Sequence, residues 1–195
     1  MLAFGKANWQ KEDPDGQLVR QIAAGDSHAA QQLVDRHLGA MVALARHMLN
    51  DPVEAEDVAQ EVFLKVWIHA AKWKPGAAMF KTWMHRVAIN LCYDRLCKKR
   101  EVYMDVLPEL VDEDAIGAEQ TIVQRQVALQ VETAMGKLAP RQRAALTLCH
   151  LQEMGNIEAA SIMEISVEAL ESLLSRGRRA LRSILEDQKQ ELLSK

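Results

Sequence analysis

Apolar residues recur every three or four positions through most of the chain, the spacing that places them on one face of an α-helix. The pattern predicts a short helix over residues 18–24 and longer helices over 27–50, 51–72 and 80–100. It resumes over 122–138, and three further helices follow, one opened by Pro140 and two within residues 156–182. The expected fold class is therefore all-α.

Local signals mark several of these helix boundaries. Asp51 can cap the third helix, Pro52 suits its first position, and Glu54 follows the cap by three residues. Pro140 can open a later helix in the same way. The apolar stripes expected from the spacing are Val34, Leu38, Met41, Ala45 and Met48 in the second helix, and Val58, Val62, Val66 and Trp67 on the inner face of the third.

Residues 156–182 predict a helix, a tight turn and a second helix rich in arginine. This is the layout of a DNA-binding helix-turn-helix, in which the second helix enters the major groove. The expected buried stripe of the second helix is Val167, Leu170, Leu174 and Leu181. Gly177 lies near this stripe, where the missing side chain allows another helix to approach closely.

Charge is strongly segregated along the chain, although the net charge is only -3. Residues 61–100 carry nine basic side chains against two acidic ones, which suits a nucleic-acid surface. Residues 101–124 carry seven acidic side chains and no basic one, and predict a flexible linker. We therefore expect a loosely ordered N-terminus (1–16), a helical domain (17–100), an acidic linker (101–120) and a helix-turn-helix domain (121–190).

Other kinds of chemistry have little support in the sequence. Three cysteines without a CxxC pair and six scattered histidines predict neither a disulfide framework nor a metal site. A redox-sensing role for Cys92 and Cys97 stays open. Nucleotide-binding glycine motifs and a recognisable catalytic triad are both missing, so we expect a protein that is not an enzyme and needs no cofactor. With neither a membrane-span pattern nor a signal-peptide core, the expected location is the cytoplasm, without membrane insertion.

Three blocks of sequence occur in a characteristic order. They are AEDVAQEVFLKVW (55–67), FKTWMHRVAIN (80–90) and, after the acidic segment, LAPRQRAALTLCHL (138–151) with the helix-turn-helix. In this order and spacing the chain resembles the extracytoplasmic-function sigma factors, a bacterial group of the sigma-70 family, from about Leu18 to Leu185. The resemblance implies a monomeric subunit that directs core RNA polymerase to promoter DNA.

The third helix, in this resemblance, binds the polymerase. Asp57, Gln60, Glu61 and Leu64 recur at helical spacing and form one acidic and amphipathic strip. In the family this strip docks on a coiled coil of the largest polymerase subunit. The alternative is a solvated helix face without a partner.

The fourth helix resembles the element that recognises and melts the minus-10 box of a promoter. Trp83, Arg86 and Asn90 share one face, where an aromatic ring, a cation and an amide suit unstacked bases. The basic track continues through Arg95, Lys98, Lys99 and Arg100, and the preceding loop (72–79) corresponds to the family's pocket for an extruded base. Trp83 could instead be a simple core residue. Housekeeping sigma factors have two adjacent tryptophans where this chain has Trp83 and Met84, which implies weaker melting.

The helix-turn-helix corresponds to the part of the family that reads the minus-35 box. The residues expected to contact DNA are Ser172, Ser175, Arg176, Arg178, Arg179 and Arg182. Many relatives have Gly where this chain has Glu164 in the turn, and Lys or Arg where it has Glu171 and Leu173. The docking mode therefore carries over, whereas the base specificity does not.

The resemblance also bears on the linker and on further partners. In the family the linker threads the RNA channel of the polymerase, although a purely flexible tether would have the same composition. Family habit implies a second partner, an anti-sigma factor that holds the chain inactive. The competing class is a conventional helix-turn-helix regulator, which predicts a homodimer that binds palindromic DNA without polymerase.

Overall fold

A computed structural model describes residues 13–74, 79–103 and 122–193 of the chain. These residues form the helices α1 (Gly16–Ala23), α2 (Ser27–Leu49), α3 (Pro52–His69), α4 (Phe80–Tyr103), α5 (Ile122–Gly136), α6 (Pro140–Leu146), α7 (Asn156–Ile162) and α8 (Val167–Leu193). A 3-10 turn (Ala70–Lys72) follows α3, and a π-helical turn (Thr147–Leu151) follows α6. The described ranges contain no strand, so the predicted all-α class is confirmed.

The first four helices pack into a bundle around side chains at the predicted spacing. Met41 and Met48 of α2, with Val58 and Val62 of α3, are fully buried. The third helix begins as predicted, because the Asp51 carboxylate accepts a hydrogen bond from the Glu54 amide at 3.1 Å and Pro52 occupies the first turn. This cap lets α3 start directly after the left-handed residue that ends α2.

Two residues expected in the apolar stripes lie at the surface instead. Trp67 is 36% exposed and leans on the ring of Phe63, with ring centroids 6.1 Å apart. Each step along a helix turns by about 100°, so Trp67 points well away from Val66, its buried neighbour. Leu38 is also exposed, and the adjacent His37 is buried in its place.

The residues immediately before α1 are well placed, in contrast to the loose order expected over 1–16. Asp13 accepts a hydrogen bond from the Phe80 amide at 2.6 Å and so binds the first turn of α4. Asp15 is buried between Arg36 and His37, at 2.6 and 2.8 Å. Burial alone would raise the pKa of Asp15, but the bonds to His37 and Arg36 outweigh it and hold this pKa below its usual value. The rest of the N-terminal segment, residues 1–12, lies outside the described ranges.

The last four helices form a second group around the helix-turn-helix. Pro140 opens α6, as predicted, and Leu170 and Leu174 of α8 are buried while Val167 and Leu181 are partly buried against them. A Cβ atom at Gly177 would lie 3.1 Å from Cδ1 of Leu146. The predicted close approach of a helix at this glycine is thus confirmed, and α6 is the helix that approaches.

The two groups of helices also pack against each other. Helix α2 contacts α5 and α6, and α4 contacts α7, the first helix of the helix-turn-helix. Residues 75–78 of the predicted loop (72–79) and residues 104–120 of the predicted acidic linker (101–120) lie outside the described part of the chain.

A buried histidine predicts how stability depends on pH. Burial lowers the pKa of His85 to about 4, and its Nδ1 donates to the Lys81 carbonyl at 2.8 Å. The unfolded chain binds a proton near pH 6.5 whereas the folded chain does not, so stability falls as the pH drops from 6.5 towards 4. We expect this histidine alone to cost about 2 kcal/mol of unfolding free energy between pH 7 and pH 5.

Urea unfolding of the wild type and His85→Met at both pH values measures this cost. Burial lowers the pKa of His47 as well, so part of the pH dependence should persist in the variant. The same loss of stability in both proteins would contradict the prediction.

Candidate protein and nucleic-acid interfaces

Helix α3 presents a continuous exposed face to solvent. Asp57, Gln60 and Leu64 lie on it, and Leu64 is 58% exposed. The apolar residues Val53 and Ile68 extend the same face towards both ends of the helix and are also exposed. An exposed row that mixes apolar and polar side chains is suited to binding another protein.

Glu61, the fourth residue predicted for this strip, stands apart from the other three. It is half-buried at the edge of the face, where its carboxylate lies 3.5 Å from Lys65 and 3.4 Å from Arg95. Its charge is therefore already partly compensated within the chain, while Asp57 and Gln60 have no such neighbour among the described side chains.

An open cleft with aromatic and basic walls lies where α4 begins. Trp83 is partly buried, and its ring lies 5.3 Å from that of Phe80 and 5.7 Å from that of His69, centroid to centroid. The cleft has a volume of about 400 Å³ and is lined by His69, Lys72, Trp73, Lys74, Phe80, Trp83 and Arg86. Flat rings beside cations are what a protein uses to hold unstacked bases and their phosphates.

Of the other residues predicted for α4, Arg86 and Asn90 share the face of Trp83 but differ in their surroundings. Asn90 is exposed. Arg86 reaches the helix-turn-helix, where it donates to the Ser161 carbonyl at 2.8 Å and lies 2.9 Å from the Glu164 carboxylate. One wall of the cleft is thus in contact with the second group of helices.

The predicted basic track divides into two sides of α4. Arg95 turns towards α3 and pairs with Glu54 at 2.8 Å, and Lys99 pairs with Asp51 at 3.1 Å. Lys98 is exposed. The side chain of Arg100 lies outside the described residues.

The outer face of α8 carries four of the six residues predicted to read DNA. Ser172, Ser175, Arg176 and Arg179 are exposed and close together on this face. The Nε of Arg176 donates to the Ser172 carbonyl at 3.3 Å, which orients the guanidinium along the helix. The other two, Arg178 and Arg182, line a separate shallow groove with Leu181, Leu185 and Glu186.

The partners of the basic side chains on α4 were missed in the sequence. Arg86 and Glu164 are 78 positions apart, and Arg95 lies 41 positions from Glu54. No local spacing connects such residues. The one available signal was Glu164 itself, an acidic residue in the turn of the predicted helix-turn-helix.

Burial affects two of the three thiols in the part of the chain that the structure covers. Burial raises the pKa of the Cys92 thiol to about 12 and also raises that of Cys149. Within the described ranges, no group of three or more His, Cys, Asp and Glu side chains is placed to hold a metal ion. None of the described helices combines the length and apolarity needed to cross a membrane.

Both groups of helices match known protein families. Residues 33–102 match the family Sigma-70 region 2, and residues 128–181 match the family Sigma-70, region 4. The chain is 30% identical over 184 residues to the RNA polymerase sigma factor CnrH of Cupriavidus metallidurans, covering 90% of this chain and 96% of the relative. It is 28% identical over 179 residues to the ECF RNA polymerase sigma factor SigW of Bacillus subtilis, covering 87% and 95%.

Solved structures show the same fold. The structure of CnrH in complex with the cytosolic domain of CnrY matches with a TM-score of 0.66 and 26% identity, over 89% of this chain and 97% of that one. The sigma factor RpoE in complex with the anti-sigma factor NepR from Bartonella quintana matches with a TM-score of 0.65 and 24% identity, over 80% and 96%.

Proposed function

The chain belongs to the extracytoplasmic-function sigma factors of the sigma-70 family, and from this premise we propose that it binds core RNA polymerase and directs transcription from a specific set of promoters. The observation that carries the proposal is the aromatic and basic cleft around Trp83, on a chain that also ends in a helix-turn-helix. A protein that only reads duplex DNA needs no platform for unstacked bases, whereas proteins that bind single strands combine aromatic side chains with a basic surface.

In this proposal the exposed face of α3 binds the polymerase. Asp57, Gln60 and Leu64 are free to contact a partner in the structure as it stands. Glu61 would first exchange its contacts with Lys65 and Arg95 for contacts with the polymerase. The three exposed residues should therefore contribute most of the affinity.

Helix α4 recognises and melts the minus-10 box. Trp83 offers one face to a base at the cleft, Asn90 is free to bond a base edge, and Lys98 is free to bind a phosphate. Arg86, Arg95, Lys99 and Arg100 complete the predicted basic surface. The first three of these have carboxylate partners in the structure, and they join the DNA surface when those contacts are exchanged for phosphates.

Helix α8 reads the minus-35 box in the major groove. Its outer face presents Ser172, Ser175, Arg176 and Arg179 for direct contact, and Arg178 and Arg182 flank it. Glu171 lies 3.5 Å from the Asn156 amide on α7, so this carboxylate is held at the edge of the same surface. An acidic group there repels phosphate and can accept a hydrogen bond from the amino group of cytosine, which narrows the set of DNA sequences that α8 can bind.

The setting of the protein follows from this role. It acts as a cytoplasmic specificity subunit, and the synthesis of RNA belongs to the polymerase alone. The solved relative CnrH is bound to CnrY and the solved relative RpoE to the anti-sigma factor NepR. We expect an anti-sigma factor to restrain this chain too. The chain divides in this proposal into a domain at 17–100, a linker at 101–120 and a domain at 121–190, and the anti-sigma factor would bind the surfaces of the two domains.

Reconstitution tests the proposed function. Purified protein is added to core polymerase from a bacterium, and transcripts are sequenced from a pool of genomic fragments. A defined set of start sites that depends on the added chain supports the proposal. Absence of core binding would contradict the proposal, and binding of palindromic duplex DNA by a homodimer without polymerase would identify a conventional regulator instead.

The two sides of α8 predict different effects on the salt dependence of promoter binding. Affinity falls as salt concentration rises, and each phosphate contact makes the slope of log affinity against log salt concentration steeper by about 0.9. We expect Arg176→Ala to make this slope shallower by about 1 in the polymerase complex, and Arg178→Ala to change it much less. Filter binding from 50 to 200 mM salt measures both. Equal losses in the two variants would contradict the assignment of the outer face.

A further inference from the structure

The contact between α4 and the helix-turn-helix pairs Glu164 with Arg86, a residue of the proposed DNA-binding surface. Nη1 of Arg86 lies 2.9 Å from the Glu164 carboxylate, and Nη2 donates to the Ser161 carbonyl at 2.8 Å. Ser161 belongs to α7 and Glu164 to the turn that follows it. Arg86, a basic residue in the wall of the cleft around Trp83, is thus bound by α7 and the turn of the helix-turn-helix.

Glu164 occupies a position where its backbone would favour glycine. Its φ is 55°, in the left-handed region that side chains other than Gly, Asn and Asp seldom adopt. Glycine at this position would leave the turn unstrained but would offer no carboxylate to Arg86. Keeping a glutamate at such a position adds backbone strain, and the ion pair with Arg86 is what the side chain provides in return.

A second contact holds the two groups of helices at another point. The guanidinium of Arg143 on α6 is buried, and its Nη1 donates to the Met48 carbonyl at 2.6 Å. Met48 lies in the last turn of α2, where unpaired carbonyls favour a cation. Arg46 of α2 also pairs with Glu132 of α5 at 3.2 Å. These contacts fix the position from which Glu164 meets Arg86.

This closed arrangement cannot occupy both promoter elements. The names of the minus-35 and minus-10 boxes place them about 25 base pairs apart, which is about 85 Å of duplex at 3.4 Å per pair. Helix α8, the longest described, spans only about 40 Å. With Arg86 and Glu164 in direct contact, the two DNA-reading surfaces are far too close together.

We infer that the closed arrangement is a self-inhibited state of the protein, in which Glu164 acts as a latch on Arg86 and must release it before a promoter can be bound. The inference rests on the proposed function for its biological meaning, but the latch is a property of the free chain. The pair is partly exposed, with 33% of the Arg86 and 65% of the Glu164 side chain accessible, so the latch is weak and a partner can open it.

The latch is tested on the full chain by a distance measurement without polymerase or DNA. Spin labels are placed on the exposed Cys97 of α4 and on Ser183→Cys of α8, with Cys149 changed to Ser. We expect one short distance to dominate in the otherwise unchanged protein. Glu164→Gln keeps the size and backbone of the residue but removes its charge, and should raise the ratio of long to short distances about threefold.

Matched variants separate the latch from general effects of charge. Glu153 is an exposed glutamate that also has a left-handed φ, 51°, so Glu153→Gln is the control and should leave the distances unchanged. Exchanging the charges, with Arg86→Glu and Glu164→Arg together, should restore the closed population that either change alone reduces. If Glu164→Gln behaves like Glu153→Gln, or if the starting protein is already mostly open, the latch is refuted.

Transcription provides the functional part of the test. In reactions limited by the free chain, Glu164→Gln should raise promoter occupancy in the polymerase complex up to about threefold, and Glu153→Gln should not. A change in distances without any transcription would leave the latch standing and refute the proposed function. Promoter-dependent transcription with unchanged distances in the Glu164→Gln protein would support the proposed function and refute the latch.

Discussion

Replacing Asp57, Gln60 and Leu64 together by alanine should greatly weaken binding to core polymerase while leaving the fold intact. All three side chains are exposed on α3, so their removal creates no cavity and breaks no described internal contact. Residues that anchor an interface contribute about 1–2 kcal/mol or more each. We expect the dissociation constant to rise at least about 100-fold, measured by fluorescence anisotropy of a labelled chain.

The chain offers a closely matched control for this experiment. Gln31, Asp35 and Leu38 are exposed on α2 and are the same three residue types at similar helical spacing. Their replacement by alanine should leave polymerase binding unchanged. If both triple variants weaken binding equally, or neither does, α3 is not the polymerase-binding helix.

Replacing Trp83 by alanine should separate promoter binding from promoter opening. The ring lines the cleft, and stacking on an aromatic side chain contributes about 1–3 kcal/mol per base. Polymerase with the Trp83→Ala chain should still bind the promoter but open it at least about fivefold less. Permanganate reactivity of unpaired thymines measures the opening.

Trp83 also packs on Phe80, so its role in the core must be separated from its role in DNA binding. Trp83→Leu keeps apolar volume without a ring, and Trp83→Phe keeps a ring. A stacking role predicts that the phenylalanine variant opens the promoter and the leucine variant does not, at similar thermal stability. Similar opening by both variants would show that Trp83 acts only as a core residue.

Features that depend on neighbouring residues in the sequence could be predicted well. The all-α class, the Asp51 cap and the start of α6 at Pro140 follow from local spacing and local hydrogen bonds. Gly177 could be placed because a glycine beside a buried helical stripe has one main physical use. The family resemblance was confirmed because it rested on several blocks in order rather than on the helix-turn-helix alone.

Features that depend on distant residues could not be predicted from spacing. A helical period shows which face is apolar, but not which basic residue on the opposite face meets a carboxylate. Arg95 and Lys99 were predicted to extend one track along DNA, whereas Glu54 of α3 and the Asp51 cap supply carboxylates to them in the structure. Trp67 was predicted on the inner face with Val58, Val62 and Val66, although the smaller residues of α3 already fill the core.

The bond from Arg143 to the Met48 carbonyl shows when, during synthesis of the chain, the closed arrangement can form. These residues are 95 positions apart, and ribosomes add about 5–20 residues per second, so Arg143 is made roughly 5–20 s after Met48. During that interval α3 and α4 are synthesised, while the residue that will cover the end of α2 does not yet exist. Each molecule is therefore without the closed arrangement when α4 is made, and can adopt it only once α6, α7 and the turn with Glu164 have followed.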